Sequence, residues 1–457
     1  ARKRQKAAGK HQVHPFWFHA SRPGKVGWIA TRPVAAQRGG TFALLDRAGP
    51  AHRLPLCNIL GTMVRTLTFA GFALMGTTIN TLLHYYIWAR LVRDPGWPAP
   101  WRTVGTTVVV ALAMVAPTVM FVTRVLFPGA NRTLAYPAFV WMGAMFILFT
   151  ILVLVDAVKA LGLVGTKVLG TNLLDPGRRE VLTQAAAVAS AATAGVLSTV
   201  AVRRMSDGAS VKTVEVGLKN LPKELDGFTI AQLTDIHIGS TIGKDYAQHL
   251  KHVTEGIKPD LIAITGDLMD GTPDDLGDAV AVLCGMRAKH GIHFCTGNHE
   301  YYSGVDQWLA FLSQRGVRVL RNERVEILEN GASLQLCGVD DYNADRFGNG
   351  HGANFDPIIK DRRADGPLIL LAHQPRHVDA ARAANVDLML SGHTHGGQIW
   401  PWNLMVRLQQ PYVEGLFNHD GTQLYVSPGT GYWGPPMRLG TRAEVTRLVL
   451  RPASKMG

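Results

Sequence analysis

Cysteine is scarce in this sequence. Four cysteines occur among 457 residues, at positions 57, 284, 295 and 337, and no two of them form a C-x-x-C pair. Their spacing gives no indication of a paired-thiolate metal site or of a disulfide framework. We therefore interpret the four thiols as small, buried hydrophobic side chains.

Charged residues are also few. They make up 18% of the chain, whereas hydrophobic residues make up 47%. This balance is unusual for a purely soluble enzyme and predicts membrane segments. With 457 residues the chain is longer than one ordinary domain, so at least two structural units are expected.

The formal net charge is +13, and part of the excess lies before residue 60, in runs such as Arg2-Lys3-Arg4. A basic flank beside apolar segments is typical of membrane orientation or of binding to anionic lipid. No signature of a nucleic-acid-binding module is present, so no nucleic acid partner is expected. Residues 1–58 lack apolar periodicity and are predicted to be a basic, disordered segment, with Met63 as an alternative start.

Three long apolar stretches follow, at Leu67–Trp88, Val104–Phe127 and Leu134–Val155. Each approaches the roughly 20 residues that a helix needs to cross the hydrocarbon core. Trp88 and Trp97 lie near the edges of these stretches, where interfacial anchors are common. We predict a membrane region over residues 59–205 with three or four transmembrane helices.

A fourth stretch, Val181–Val202, is rich in alanine and follows Arg178-Arg179. A twin arginine before a mildly apolar region resembles a twin-arginine export signal, and an ordinary last membrane helix with basic flanks is the alternative. Export would leave the twin arginine in the cytoplasm and place the following domain on the extracytoplasmic side of the cell membrane. The positive-inside tendency of the preceding loops agrees with this orientation, but Arg203-Arg204 and the basic amino terminus disagree.

Beyond these arginines, short β-rich runs alternate with amphipathic segments. Residues 206–457 are therefore predicted to form an α/β domain with a layered sheet core. The predicted strands are Val211–Val216, Phe228–Leu233, Leu261–Thr265, Ile292–Thr296, Leu334–Val339, Leu368–Ala372, Leu388–Leu390, Leu424–Val426 and Val445–Leu450, and the predicted helices are Tyr246–Ile257 and Asp275–Lys289.

Five of the apolar strands end in residues of metal-ligand type. These residues are Asp235 and His237, Asp267, Asn298 with His299, His373, and finally His393 with His395. Open α/β sheets place their sites at the carboxyl ends of strands. Carboxylate and imidazole ligands together suit Mn, Fe, Zn or similar ions. Five strand ends with this composition predict a metal centre.

The motifs D-x-H, G-D, G-N-H-E, a single H and G-H-T-H, in this order, resemble the calcineurin-like metallophosphoesterase superfamily. They correspond here to Asp235-Ile-His237, Gly266-Asp267, Gly297-Asn298-His299-Glu300, His373 and Gly392-His393-Thr394-His395. The context of these motifs and the run Gly434-Pro-Pro-Met-Arg-Leu-Gly440 are similar to the membrane-bound YkuE-like subgroup. The resemblance covers about residues 211–451 and implies a four-layer αββα sandwich.

The resemblance also implies two divalent metal ions. Asp235, His237 and His395 would hold the first ion, Asn298, His373 and His393 the second, and Asp267 would bridge them. A hydroxide shared by the two ions would attack phosphorus in line with the leaving oxygen. The resemblance gives His299 the role of stabilising the transition state or protonating the leaving group.

Three carboxylates beside the predicted ligands, Glu300, Asp340 and Asp341, are candidates to orient them, and capping or loop roles are the alternative. His84 lies within the first apolar stretch, where helix packing or an interfacial position is expected.

The predicted substrate is a phosphoester or pyrophosphate at a membrane surface. Asp235 lies 33 residues after Val202, so the site is held near the bilayer. Tethering raises the effective concentration of membrane-resident substrates. Some membrane-associated relatives act on lipid precursors such as UDP-diacylglucosamine, which is compatible with a lipid-linked substrate. The alternatives are a tethered phosphodiesterase of soluble substrates and a non-catalytic membrane receptor on the same fold.

Apolar residues flank the predicted ligands and have two possible roles. They could line an acyl or interfacial contact, or they could pack in the core between strand and loop. They are Tyr301, Tyr302, Ile399, Trp400, Pro401, Trp402, Tyr432 and Trp433.

Overall fold

The computed structural model describes residues 55–121, 132–169, 175–363 and 366–455. The predicted disorder of residues 1–58 lies almost wholly outside this part, although Pro55–Asn58 form the start of a helix. The chain divides after Ile79, and every tertiary contact described below lies within the larger unit that begins at Asn80.

Four long helices form the amino-terminal half of the described chain. They are α1 (Pro55–Trp88), which continues as a π-helical turn over Ala89–Arg93, α2 (Ala99–Phe121), α3 (Arg132–Leu169) and α4 (Pro176–Ser206). The start of α4 is well defined, because the Asp175 carboxylate accepts the N–H of Arg178 and proline occupies the first helical position. The predicted apolar stretches are helical, with residues 122–127 of the second outside the described part.

Within the described residues, three helical segments are long and apolar enough to cross a membrane: Ala99–Val119, Thr133–Val168 and Gly177–Ser206. The segment in α3 has 36 residues. At 1.5 Å per residue it is about 54 Å long, much longer than a hydrocarbon core of about 30 Å. The segment in α3 is therefore longer than one crossing requires.

Two six-stranded sheets form the carboxyl-terminal domain. Their strands are β1 (Ser210–Leu218), β2 (Thr229–Leu233), β3 (Leu261–Thr265), β4 (Ile292–Cys295), β5 (Arg318–Val319), β6 (Glu323–Glu329), β7 (Ala332–Gly338), β8 (Leu368–Leu371), β9 (Leu388–Ser391), β10 (Gly415–His419), β11 (Thr422–Val426) and β12 (Glu444–Pro452). The first sheet has the order β1-β12-β2-β3-β4-β5, and the second has the order β10-β11-β9-β8-β7-β6. The strands that precede the predicted ligands pair in parallel, β2–β3–β4 in one sheet and β8–β9 in the other.

In the described part of this domain, seven shorter α-helices accompany the sheets. They are α5 (Lys244–Gly256), α6 (Pro273–Cys284), α7 (Asn298–Tyr302), α8 (Val305–Ser313), α9 (Asp356–Ile359), α10 (Val378–Ala383) and α11 (Trp402–Val406). One buried apolar cluster fills the space between the two sheets. A second joins the first sheet to α5, α6 and α8, and a third joins the second sheet to α9 and α10. The predicted four-layer αββα arrangement is confirmed.

The sequence pattern misplaced some elements. The predicted helix Asp275–Lys289 stops at Cys284, and Gly285 follows it as the C-cap. The strands β5, β6 and β10 were not predicted. Their exposed or alternating side chains give no continuous apolar run, unlike the central strands.

The membrane helices pack directly against loops of the α/β domain. Ile399 and Met437 from these loops share one apolar cluster with Met145 and Leu148 of α3. The backbone N–H of Arg438 also donates a 3.0 Å hydrogen bond to the carbonyl of Ala201, near the end of α4. The α/β domain therefore contacts α3 around Gly143–Leu148 and α4 near its carboxyl end.

Candidate metal centre and active site

The predicted ligand residues from both sheets lie together. Asp235 and His237 follow β2, Asp267 follows β3 and Asn298 opens α7 directly after β4. From the second sheet, His373 follows β8, and His393 and His395 follow β9. The site therefore lies where the carboxyl ends of strands from both sheets meet, rather than at the edge of one sheet.

Five of these residues have left-handed backbone conformations. Their φ angles are 52° at Asp235, 54° at His237, 52° at Asp267, 69° at His393 and 51° at His395. Such conformations are unfavourable for residues other than glycine and cluster at functional sites, where the surrounding structure imposes them. Here each one turns a strand-end side chain back toward the common centre.

The first group of candidate ligands comprises Asp235, His237 and His395, whose ligand atoms all lie within 4.8 Å of one another. The Nε2 atoms of His237 and His395 face each other at 3.2 Å, and Asp235 Oδ1 is 3.5 Å from His395 Nε2. The Nδ1 atom of His395 is buried and has no hydrogen-bond partner in the described structure. Converging imidazole nitrogens and a carboxylate are a suitable donor set for a divalent cation.

The second group comprises Asp267, His373 and His393. His373 Nε2 is 3.0 Å from Asp267 Oδ2 and 3.2 Å from His393 Nδ1. The other ring nitrogen of His373 donates to the carbonyl of Thr265 at 2.8 Å, which fixes the orientation of the ring. Nearby, the buried Oδ1 atom of Asn298 has no hydrogen-bond partner in the described structure. An unpaired buried amide oxygen beside this group fits a cation ligand.

Asp267 belongs to the second group and also approaches the first. Its Oδ2 atom is 3.8 Å from His237 Nε2 as well as 3.0 Å from His373 Nε2. Burial opposes ionisation of Asp267, but His373 and His299 outweigh burial and hold the pKa of this carboxyl well below its usual value. Asp267 is thus a carboxylate that is in reach of both histidine sets.

The structure adds Asp270, which the motifs did not identify. Its two carboxylate oxygens accept from His237 Nδ1 at 3.1 Å and from His299 Nδ1 at 2.5 Å. A carboxylate behind an imidazole fixes the tautomer and the orientation of the ring. Asp270 lies three residues after Asp267, beyond the turn that the positive φ of Asp267 forms, and no sequence pattern singles it out.

His299 lies beside the second group without belonging to it. Its Nε2 is 3.9 Å from Asp267 Oδ2, and its side chain is 16% exposed. Burial disfavours the charged ring, but Asp270 and Asp267 outweigh burial and raise the pKa of His299 to about 9. This environment favours the protonated form of His299, whose side chain is partly exposed.

Two of the three predicted orienting carboxylates hold the ligand loops. The fully buried Glu300 accepts backbone N–H groups from Asp267, Leu268 and Gly297 at 3.0, 2.7 and 2.6 Å. Asp341 accepts both hydrogen bonds of the Gln374 amide, directly after His373.

The third carboxylate, Asp340, has a different role, because it forms a bidentate ion pair with Arg321 at 2.8 and 2.6 Å. His84 packs between helices, with Nδ1 near the carbonyl of Asn80 and Nε2 accepting from Trp141.

Arg438, within the run 434–440, is 1% exposed and holds the last ligand loop. Its guanidinium donates to the carbonyl of His395 at 3.0 Å and to that of Gly431 at 2.7 Å. Burial lowers the pKa of Arg438 to about 10, so the side chain keeps its charge at neutral pH. Arg438 therefore makes two connections: its backbone N–H binds the carbonyl of Ala201 in α4, and its side chain fixes the position of His395.

At two positions beside the ligands only glycine fits, because a ligand carboxylate lies very close to the backbone. A Cβ atom at Gly297 would overlap the carboxylate of Asp267, and a Cβ atom at Gly392 would overlap that of Asp235. Any larger residue would displace a ligand.

The flanking aromatic residues divide into two sets. Tyr301 and Tyr432 are buried and pack in the core of the α/β domain, as one alternative expected, whereas Ile399 is buried against α3. Trp400, Trp402 and Trp433 are about half exposed, and the Trp433 ring lies against His299 with a centroid separation of 5.8 Å.

Comparisons with known proteins match the part of the chain that forms the α/β domain. The family model described as calcineurin-like phosphoesterase matches residues 228–397. The chain is 41% identical over 269 residues to the transmembrane protein with metallophosphoesterase domain from Bos taurus, covering 56% of this chain and 61% of that protein. It is 38% identical over 247 residues to an uncharacterized metallophosphoesterase from Helicobacter pylori, covering 54% and 65%. The chain thus spans less than two thirds of these two relatives.

A shorter relative is matched almost completely. An uncharacterized metallophosphoesterase from Aquifex aeolicus is 34% identical over 243 residues, which are 53% of this chain and 91% of that protein. Among solved structures, a dimetal phosphatase from Danio rerio has a TM-score of 0.31 and 12% identity, covering 45% of this chain and 89% of that chain.

The apolar helices and the relatives named as transmembrane proteins indicate a membrane protein. The family implies divalent metal ions, and the two groups of candidate ligands fit them. The YkuE-like subgroup stays a prediction. The family match and the near-complete coverage of the Aquifex relative establish that this chain belongs to the calcineurin-like metallophosphoesterases.

Proposed function

We propose that this protein is a metal-dependent hydrolase of phosphoester or pyrophosphate bonds that acts on an amphiphilic substrate at a membrane surface. The observation that supports this most strongly is a mixed carboxylate and histidine centre beside a loop, residues 433–438, that packs against α3. Family membership supports the chemistry, and the contacts between the α/β domain and α3 support the location.

The proposal assigns Asp235, His237 and His395 to one ion, Asn298, His373 and His393 to a second, and Asp267 to both. The short distances from Asp267 to imidazoles of both sets support the shared role. Divalent ions at such a centre lower the pKa of bound water and neutralise phosphoryl oxygens.

His299 is the proposed general acid. Its ring is held by Asp270, and this environment favours its protonated form, so it has a proton to give to the leaving oxygen. Because Asp270 also binds His237, the same carboxylate would keep the acid and one metal ligand in a fixed relative geometry.

Contacts between the loop after Tyr432 and α3 support an amphiphilic substrate. Trp433 lies against His299, and the next residue, Gly434, lies close to the Met142 side chain of α3. Three residues further along, Met437 packs against Gly143 of the same helix. Only Trp433 and Gly434 therefore separate the proposed acid, His299, from the apolar surface of α3. A phosphate group carried by a lipid in the bilayer would reach the metal centre along this loop.

We also propose that the catalytic domain lies on the extracytoplasmic side. Arg90 and Arg93 lie at the end of the bundle remote from the α/β domain, and Arg90 pairs with Asp156 at 2.7 Å. Arg178 and Arg179 open α4, far from its contact with Arg438. Positive residues at that end support a cytoplasmic location for it.

Purified protein in detergent or lipid discs tests this proposal. With Mn²⁺ it should hydrolyse a chromogenic bis-phosphodiester, and a chelator should abolish the activity. In mixed micelles, kcat/KM for a phosphate head group carrying acyl chains should exceed that for the bare head group. Equal values, with Trp400→Ala and Trp402→Ala silent, would leave a general phosphodiesterase that is merely tethered. Absence of hydrolysis with every metal tried would leave the non-catalytic receptor.

A further inference from the structure

Residues 400–408, here called the interfacial segment, present large apolar side chains to the outside. The exposed fractions are 49% for Trp400, 51% for Trp402, 56% for Leu404, 50% for Met405 and 77% for Leu408. Soluble surfaces rarely group so many large apolar side chains, and such patches mark interaction sites. We propose that the interfacial segment inserts into the boundary between head groups and acyl chains of the bilayer that α3 and α4 cross.

The loop that contains Arg438 lies at one edge of the apolar layer. The apolar run Val181–Val202 of α4 has charged residues at both ends, and its 22 residues are about 33 Å long. This length matches a hydrocarbon core of about 30 Å, so Val202 marks one edge of the apolar layer. The carbonyl of Ala201 accepts the N–H of Arg438. The backbone of Arg438 therefore lies at this edge.

The interfacial segment lies slightly deeper than this loop. Gly143 of α3 packs against Met437, next to Arg438, and so lies at the same edge. From Gly143 the helix runs into the apolar layer, toward the bundle end where Asp156 pairs with Arg90. Phe146 is three residues along this path, or about 4.5 Å deeper. The Trp402 ring lies edge-on to Phe146, with ring centroids 5.8 Å apart.

The composition of the segment fits a lipid partner. Tryptophan favours the interface between water and acyl chains. The only charged residue in the interfacial segment is Arg407, which suits anionic head groups. Short amphipathic elements of this kind enter the bilayer by about 5–10 Å.

Insertion would also position the mouth of the site. Gln398, just before the interfacial segment, donates from Nε2 to the carbonyls of Trp433 and Pro435 at 3.0 and 2.9 Å. Trp433 in turn lies against His299. A substrate in the membrane would then meet the metal centre without leaving the bilayer. This consequence rests on the proposed function, whereas the insertion itself does not.

Site-specific labelling tests the insertion. Leu404→Cys and Leu408→Cys, each in a Cys57→Ser/Cys284→Ser background, are labelled with the fluorophore NBD in lipid discs containing phosphatidylglycerol. The remaining thiols, Cys295 and Cys337, are fully buried and should not react. The matched control is Asp420→Cys in the turn between β10 and β11, where the native side chain is 81% exposed.

Labels at positions 404 and 408 should show blue-shifted emission and at least about two-fold quenching by brominated lipids. Aqueous iodide should quench the control label only. Equal iodide quenching at all three positions would overturn the proposal, provided that thermal unfolding shows folded protein. The unlabelled Leu404→Gln/Leu408→Gln variant gives a second readout. It should lower kcat/KM for the acylated substrate and leave that for a soluble phosphodiester unchanged, and equal effects on both would count against insertion.

The labelling requires neither metal nor turnover. A protein whose labels insert but that hydrolyses nothing would contradict only the proposed function. A protein that hydrolyses phosphoesters while its labels stay in water would contradict only the insertion.

Discussion

Enlarging Gly143, a residue of a membrane helix, should impair the metal centre. A Cβ atom at this position would lie 2.5 Å from Met437 Sδ and 2.9 Å from Pro435 Cβ. Favourable contacts between such atoms are at about 3.5–4.0 Å, so the loop must move by about 1 Å. The displaced loop contains Arg438, which holds the carbonyl of His395, and begins at the Trp433 that contacts His299.

The size of the effect follows from these distances. Overpacking costs about 1–3 kcal/mol, partly offset by the gain of up to about 1 kcal/mol when alanine replaces glycine in a helix. A misplacement of about 1 Å at a catalytic site can lower the rate by about 10²-fold. Gly143→Ala should therefore reduce kcat/KM by about 10- to 100-fold, and Gly143→Val should reduce it further.

The matched control is Gly162→Ala in the same helix, where a Cβ atom would meet nothing within 4 Å. This change should leave activity unchanged and thermal stability equal or slightly higher. The assay is hydrolysis of a chromogenic phosphodiester with Mn²⁺, beside thermal unfolding of each variant. If Gly143→Ala is as active and as stable as Gly162→Ala, the loop does not couple the membrane helix to the site.

Three further predictions concern the acid, its partner and the topology. His299→Gln should lower turnover by about 10²–10⁴-fold while metal content measured by elemental analysis stays near wild type, and unchanged turnover would exclude the acid role. Asp270→Asn should weaken metal binding or activity by about 10–100-fold in a metal titration, because asparagine cannot accept from both histidines equally. The exposed Asp306→Asn is the control, and equal behaviour of the two variants would refute the orienting role of Asp270. Alkaline phosphatase fused after residue 451 should be active, whereas fluorescence of an ordinary green fluorescent protein at that point would place the domain in the cytoplasm.

Some of the site could be predicted from sequence because the ligands follow apolar strands. Asp235, Asp267 and His373 each come directly after such a strand, where short-range patterns are informative. Asp270 was missed because its role depends on the turn at Asp267, and a single carboxylate in a loop has no periodicity. Arg438 was noticed only as part of a motif, since complete burial of an arginine depends on the carbonyls that surround it.

The arrangement of the sheets was beyond sequence analysis for a different reason. The last strand, β12, inserts between β1 and β2, and this pairing joins residues more than 200 positions apart, such as Leu448 and Ile230. Neighbouring segments contain no information about such partners. Likewise, the apolar pattern of α3 predicted a membrane span but not that Gly143 would contact the loop beyond the last ligands.

The central claim is a metal centre shared through Asp267, and elemental analysis of wild type beside Asp267→Asn tests it most directly. The exposed Asp306→Asn variant serves as the matched control. We expect the wild type and the control to retain divalent metal and phosphodiesterase activity, and Asp267→Asn to lose most of both, because the proposed bridge contributes to each ion. Full metal occupancy together with full activity in Asp267→Asn would contradict the account.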